Sequence, residues 1–148
     1  MRFMVIVKAD EDTEAGVQPS EEMLNAMAAF NEELVKAGVM LAGEGLHPSS
    51  KGARVYFSGD KRTVVDGPFA ETKELIAGFW LLEVKSLEEA IEWVKRAPNP
   101  TGEESQIEIR QVFTEDDFVN ASEELKARER ELRAEFDARA KAELNQNG

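Results

Sequence analysis

The chain has 148 residues, no cysteine and one histidine. The first absence excludes disulfides, a thiolate nucleophile, cysteine-held zinc and iron–sulfur clusters, and the second excludes the multi-histidine zinc sites. Positive charge is also scarce, with 18 Lys and Arg against 30 Asp and Glu and a net charge of −12. Such a surface repels nucleic-acid backbones and anionic lipid, so neither is an expected partner. No apolar run approaches the ~18 residues of a membrane span. The opening Met1-Arg2-Phe3-Met4-Val5-Ile6-Val7 meets Lys8 and then Asp10-Glu11-Asp12 too soon for a secretory leader. A cytoplasmic protein is the expectation, and a chain that is 42% hydrophobic can close one core without a metal or a disulfide.

Residues Arg2 to Lys8 are almost continuously apolar, which predicts a central strand covered on both faces, bounded by an acidic loop. Ser20 is placed to cap a helix whose first turn carries Glu21 and Glu22. Met23, Met27, Phe30 and Leu34 recur at helical spacing with Leu24 and Val35 on the flanks, and Gly38 closes the helix. Val39 to Leu46 reads as a second strand in which Gly43 and Gly45 signal a bulge or a place where another backbone or a ligand comes close. Arg54 to Phe57 and Thr63 to Asp66 predict a hairpin around Ser58-Gly59-Asp60-Lys61. Gly78 to Val84 is strongly strand-like. Ser86 and Glu89 form a capping box for a second helix that stops before Pro98-Asn99-Pro100, and Ile107 to Phe113 alternates as a half-buried strand.

With the hairpin set aside as an insertion, the order is strand, helix, strand, strand, helix, strand. That is a ferredoxin-like α+β arrangement, an antiparallel sheet with two helices on one face. The other face is left open, and a second copy is the simplest cover, giving a dimeric α+β barrel. Residues 1–113 thus form the barrel domain. From Thr114 to the end, at 114–148, the chain reads as a charged helical arm with Leu125, Leu132, Phe136 and Leu144 as a sparse stripe, suited to lie on its own domain or on the dimer partner.

The stretch Asp66-Gly67-Pro68-Phe69-Ala70-Glu71-Thr72-Lys73-Glu74, with Gly78-Phe79-Trp80 after it and Ala42-Gly43-Glu44-Gly45-Leu46 before it, resembles the signature of the YCII-related family, in its DGPF branch. The resemblance spans roughly Arg2 to Phe113. It implies a dimeric α+β barrel and a cytoplasmic bacterial protein, in a branch to which no reaction is attached. Shorter members of the family are proposed as enzymes on the strength of a histidine in the first helix and an aspartate lining a pocket. Here the helix from Ser20 to Ala37 holds no histidine, so that pair does not carry over.

Catalytic candidates therefore rest on other residues. Pro68 removes a backbone donor and stiffens the bend, while Gly67 tolerates its geometry. Two readings of Asp66 stay open: an Asx-turn acceptor holding the bend, with Phe69 plugged beneath it, or a rigidly presented acid–base group. On the second reading the bend also aims Glu71, Thr72 and Lys73 at a ligand, with Lys73 facing a developing anion. His47, where the second strand leaves the sheet, is either a loop residue or a proton-transfer group, since an unperturbed imidazole titrates near ~6.5. Glu44 is a proton acceptor if it faces a barrel interior and a surface charge otherwise. Trp80, with Tyr56, Phe79 and Trp93, is either pocket wall or core. No metal-ligand spacing joins these residues, and no phosphate loop or dinucleotide fingerprint is present, so neither metal nor cofactor is expected. Two functions follow: a small-molecule protein doing cofactor-free acid–base chemistry, of isomerase or hydrolase type, or a non-catalytic dimeric interaction or sensing module working with a regulatory partner.

Overall fold

The computed structural model describes residues 1–99 and 104–147 and divides into two compact units, Met1–Val112 and Phe113–Gly148. In the first unit, β1 (Arg2–Lys8), β2 (Met40–Gly45), β5 (Ile76–Glu83) and β6 (Ile107–Gln111) form one sheet in the order β2-β5-β1-β6, every pair antiparallel. Helices α2 (Glu21–Lys36) and α3 (Leu87–Val94) follow β1 and β5. This is the ferredoxin-like order. β3 (Ala53–Ser58) and β4 (Lys61–Asp66) make a separate two-stranded hairpin.

Strand alternation sorts the sheet into two faces. Phe3 and Val5 of β1 oppose Leu82 and Trp80 of β5, and these four pack with Phe30 and Leu34 of α2 and Ala90 of α3 into the core. Burial of each Phe, Val and Leu among them contributes about 1.5–3 kcal/mol. The flanking Leu24 and Val35 stay exposed, so the buried stripe of α2 is narrower than its hydrophobic content. Met4 and Ile6 lie on the opposite face beside Leu81 and Phe79, with Ala42, Glu44, Glu108 and Arg110 also on that side. Ile6 is buried there while Met4, Phe79 and Leu81 are half-buried, so β1 is central but fully enclosed on the helix side alone.

Local chemistry explains the element ends. Ser20 Oγ accepts the Met23 amide at 3.1 Å, and Gly38 at φ +72° closes α2 as Val39 donates back to the Leu34 carbonyl. Ser86 Oγ accepts the Glu89 amide at 3.1 Å, but the Glu89 carboxylate takes the Lys85 amide at 2.7 Å, so the reciprocal half of the expected capping box is made one residue early. The acidic segment after β1 is not a plain loop. Asp10 Oδ1 accepts the Thr13 amide at 2.7 Å and Thr13 Oγ1 accepts the Asp10 amide at 2.8 Å, which starts the short helix α1 (Glu11–Glu14). Pro100, from the proline run expected after α3, lies outside the described residues.

The second unit is a turn at Glu115–Asp117 followed by α4 (Glu123–Asn147), started by Ser122 Oγ on the Leu125 amide. Arg130 pairs with Glu115 and Lys126 with Asp116, joining turn to helix. Leu125, Leu132, Phe136 and Leu144 are all exposed.

Candidate functional site

A cleft of about 470 Å³ opens in the first unit where β2 ends and β5 begins. Its walls are Leu46, His47, Pro48 and Ser49 on one side and Phe69, Leu75 and Ile76 on the other, with Glu14, Lys51 and Glu74 at its polar rim. The two walls are bonded to each other at both ends. At the sheet end the Leu46 amide donates to the Ala77 carbonyl at 2.8 Å. At the far end the Gly67 amide donates to the Gly52 carbonyl at 3.0 Å, and the Phe69 amide donates to Ser49 Oγ at 3.1 Å. Between these closures the segments part and leave the cleft.

The far closure explains the residues of the bend. Gly67 sits so close to the turn at 48–52 that a Cβ on it would lie 1.7 Å from the Ser49 carbonyl oxygen. Only glycine fits that approach. The Gly67–Pro68 peptide is cis. Phe69 is half-buried, one ring face under the Arg54 guanidinium at 3.9 Å. Of the two readings of Asp66, the Asx-turn is not formed: among the described residues no hydrogen bond reaches the Asp66 side chain. Asp66 is exposed at the end of β4, and the acceptor that orders the bend is Ser49, twenty positions before Phe69. Proximity in the chain favoured Asp66, but the bend is held from outside.

Ser49 is itself held. Its amide donates to Glu14 Oε1 at 3.0 Å and its hydroxyl donates to Glu14 Oε2, so one carboxylate of α1 takes both donors of one residue. Charge-assisted bonds of this kind are stronger than neutral ones, and the group is half-buried.

Of the residues singled out from sequence, the structure puts His47 in the cleft wall and the other six elsewhere. Glu44 is exposed on the open sheet face, opposite Phe79. Asp66, Glu71 and Lys73 are exposed around the bend, and Thr72 is half-buried at the start of the turn Thr72–Glu74. Trp80 is 7% exposed in the helix-side core, edge-on to Phe30 at 5.5 Å, with its Nε1 donating to Asn31 Oδ1 at 2.8 Å. Gly43 makes room for it, since a Cβ there would come within 2.9 Å of the indole Cδ1. What comes close to this glycine is thus a core side chain and not the backbone or ligand that the sequence suggested. The residues missed from sequence are Glu14, Ser49, Lys51, Gly52, Leu75 and Ile76. Glu74, within the recognised motif, does reach the rim. Among the described residues no three His, Asp or Glu side chains gather as a metal would require, and no helix is long and apolar enough to cross a membrane.

Fold and cleft together define a class: a ferredoxin-like α+β unit with an inserted hairpin and a side cleft at the hairpin's root. The chain belongs to the YCII-related family, whose domain model matches residues 1–119. It is 30% identical over 112 residues to an uncharacterised protein of Rhizobium meliloti (strain 1021), covering 74% of this chain and 90% of that one. Among solved structures it is similar to the 5-chloro-2-hydroxyhydroquinone dehydrochlorinase of Burkholderia phenoliruptrix AC1100, solved in complex with 2,5-dihydroxybenzoquinone. That similarity has a TM-score of 0.43 at 15% identity, over 79% of this chain and 98% of the other.

Proposed function

We propose that the cleft at the root of the hairpin binds a small molecule and that His47 transfers a proton to or from it, without a cofactor, in a reaction of isomerase or hydrolase type. The observation that carries this reading is the placement of the chain's one imidazole in a cleft with apolar walls, Leu46, Phe69, Leu75 and Ile76, and a few charged groups, Lys51 and Glu74, at the rim. Mostly apolar walls with few polar groups are what a small organic ligand needs for burial and orientation. Imidazole is the side chain suited to exchange protons near neutral pH. Glu14 borders the cleft too, but both its oxygens are engaged by Ser49, so it holds the wall and leaves proton transfer to His47. Asp66, Glu71, Thr72 and Lys73 do not line the cleft and carry no step in this reading.

The test is a small-molecule library scored by thermal shift on the natural chain and on His47→Asn. Compounds that stabilise the first and not the second support the reading. A library whose hits stabilise both equally contradicts it and favours a binding or sensing module.

The same proposal takes the molecule as a homodimer. Met4, Ile6, Phe79 and Leu81 give the open sheet face an apolar centre, and two such faces pack about 10 Å apart in sheet-on-sheet assemblies. Glu44, on that face, would then be enclosed by the second copy. Light scattering on the natural chain and on Leu81→Arg checks this, with a dimer expected for the first and a monomer for the second. Within the family, the DGPF branch is proposed on the motif Asp66 to Glu74 with its flanks Ala42 to Leu46 and Gly78 to Trp80.

A further inference from the structure

Besides the backbone bonds from Leu46 to Ala77 and from Gly67 to Gly52, the two walls of the cleft are joined through one side chain. Ser49 Oγ accepts the Phe69 amide from the bend while its own proton goes to Glu14 Oε2, and the Ser49 amide goes to Glu14 Oε1. A free hydroxyl rotates to suit its surroundings. With its proton held by a carboxylate, this one keeps a lone pair turned toward the Phe69 amide. His47 is two residues before Ser49 and separated from it by Pro48, whose backbone sits at φ −53° and ψ 154°. Pro48 fixes its own φ and restricts the backbone of His47, so the main chain that carries the imidazole moves with Ser49. Glu14 is thus the point from which both the imidazole wall and the phenyl wall of the cleft are set, although it comes from α1, 35 positions before Ser49.

We propose that Glu14 is a positioning residue of the cleft: acting through Ser49, it fixes the separation of the His47 wall from the Phe69 wall and so decides which small molecules the cleft admits. This rests on the cleft being the ligand site, but the device itself is read without a ligand. Neither Glu14 nor Ser49 takes part in bond changes. Removing the carboxylate leaves the half-buried Ser49 amide without its acceptor and frees the hydroxyl to turn from Phe69.

The experiment uses the full chain as Glu14→Ala, Glu14→Gln and Ser49→Ala. The first readout is hydrogen exchange at the Phe69 amide, and the second is the carbethoxylation rate of the imidazole by diethyl pyrocarbonate, which in a chain with one histidine reports His47 alone. Glu14→Ala and Ser49→Ala should speed Phe69 exchange by about tenfold, as loss of one hydrogen bond implies. They should also change the His47 rate severalfold. Glu14→Gln keeps an acceptor for the Ser49 amide but sets an NH2 where the hydroxyl proton was held, so it should restore the His47 rate and leave the Phe69 exchange fast. Unchanged exchange at Phe69 in Ser49→Ala, or an unchanged His47 rate in both alanine variants, overturns the proposal. If Glu14→Ala does not fold, Ser49→Ala and Glu14→Gln decide between the same outcomes. Because neither readout needs a ligand, a positive result alongside a silent library keeps the positioning device and discards the ligand site, while library hits with unmoved readouts do the reverse.

Discussion

Replacing Gly67 by alanine places a methyl carbon 1.7 Å from the Ser49 carbonyl oxygen, where ordinary contact begins at 3.4 Å. The obstacle is backbone, so no rotamer change relieves it. The bend and the 48–52 turn must separate, and that separation breaks the Gly67 to Gly52 bond at 3.0 Å and the Phe69 to Ser49 bond at 3.1 Å. Two hydrogen bonds at about 1 kcal/mol each, with about 1–3 kcal/mol for overpacking, give a loss of about 3–5 kcal/mol. For a domain of this size that is a fall of roughly 10 °C or more in Tm. Urea and thermal unfolding measure it, and amide exchange at Gly67 and Phe69 tells whether the bend detaches while the sheet stays intact. Natural stability with unchanged exchange at both amides would refute the close approach and, with it, the two-ended closure of the cleft.

Three further outcomes follow from the same packing. Leu34→Ala empties a site that is 0% exposed and should cost about 2–5 kcal/mol, while Leu24→Ala, at 55% exposure on the same helix, should stay within about 0.5 kcal/mol; equal losses in urea unfolding would mean that the buried stripe is misplaced. Trp80→Phe removes the Nε1 donor to Asn31 and part of the core, for a loss of about 1–3 kcal/mol by chemical denaturation, and a neutral result would contradict its burial. Asp66→Asn, at an exposed position, should leave stability within about 0.5 kcal/mol, and a drop the size of a core mutation would return to Asp66 the role the structure gives to Ser49.

Local signals carried most of the fold. Ser20 and Gly38 bracket α2, the Ser86 cap starts α3, and the pairing of β1, β5, β2 and β6 follows once the Ala53–Asp66 hairpin is set apart. The helix α1 was hidden because Asp10, Glu11 and Asp12 look like a solvated loop, and only the exchange of bonds between Asp10 and Thr13 makes a helix start of them. The cleft was legible at His47, where a strand leaves its sheet, and illegible at Glu14 and Ser49. Those two residues matter through a contact across 35 positions, with no local spacing to betray it. Trp80 shows the opposite difficulty. An aromatic residue beside a recognised motif reads equally well as pocket wall or core, and it is the strand's alternation that turns it toward α2.

The most direct measurement exploits the chain's one histidine. Its imidazole carbon-bound protons give one set of NMR signals, which can be followed as each compound that raises the Tm is titrated in. The expected result is that such compounds shift the His47 signals in step with their occupancy. Stabilising compounds that saturate the protein and leave those signals unmoved would contradict the assignment of the cleft as the ligand site.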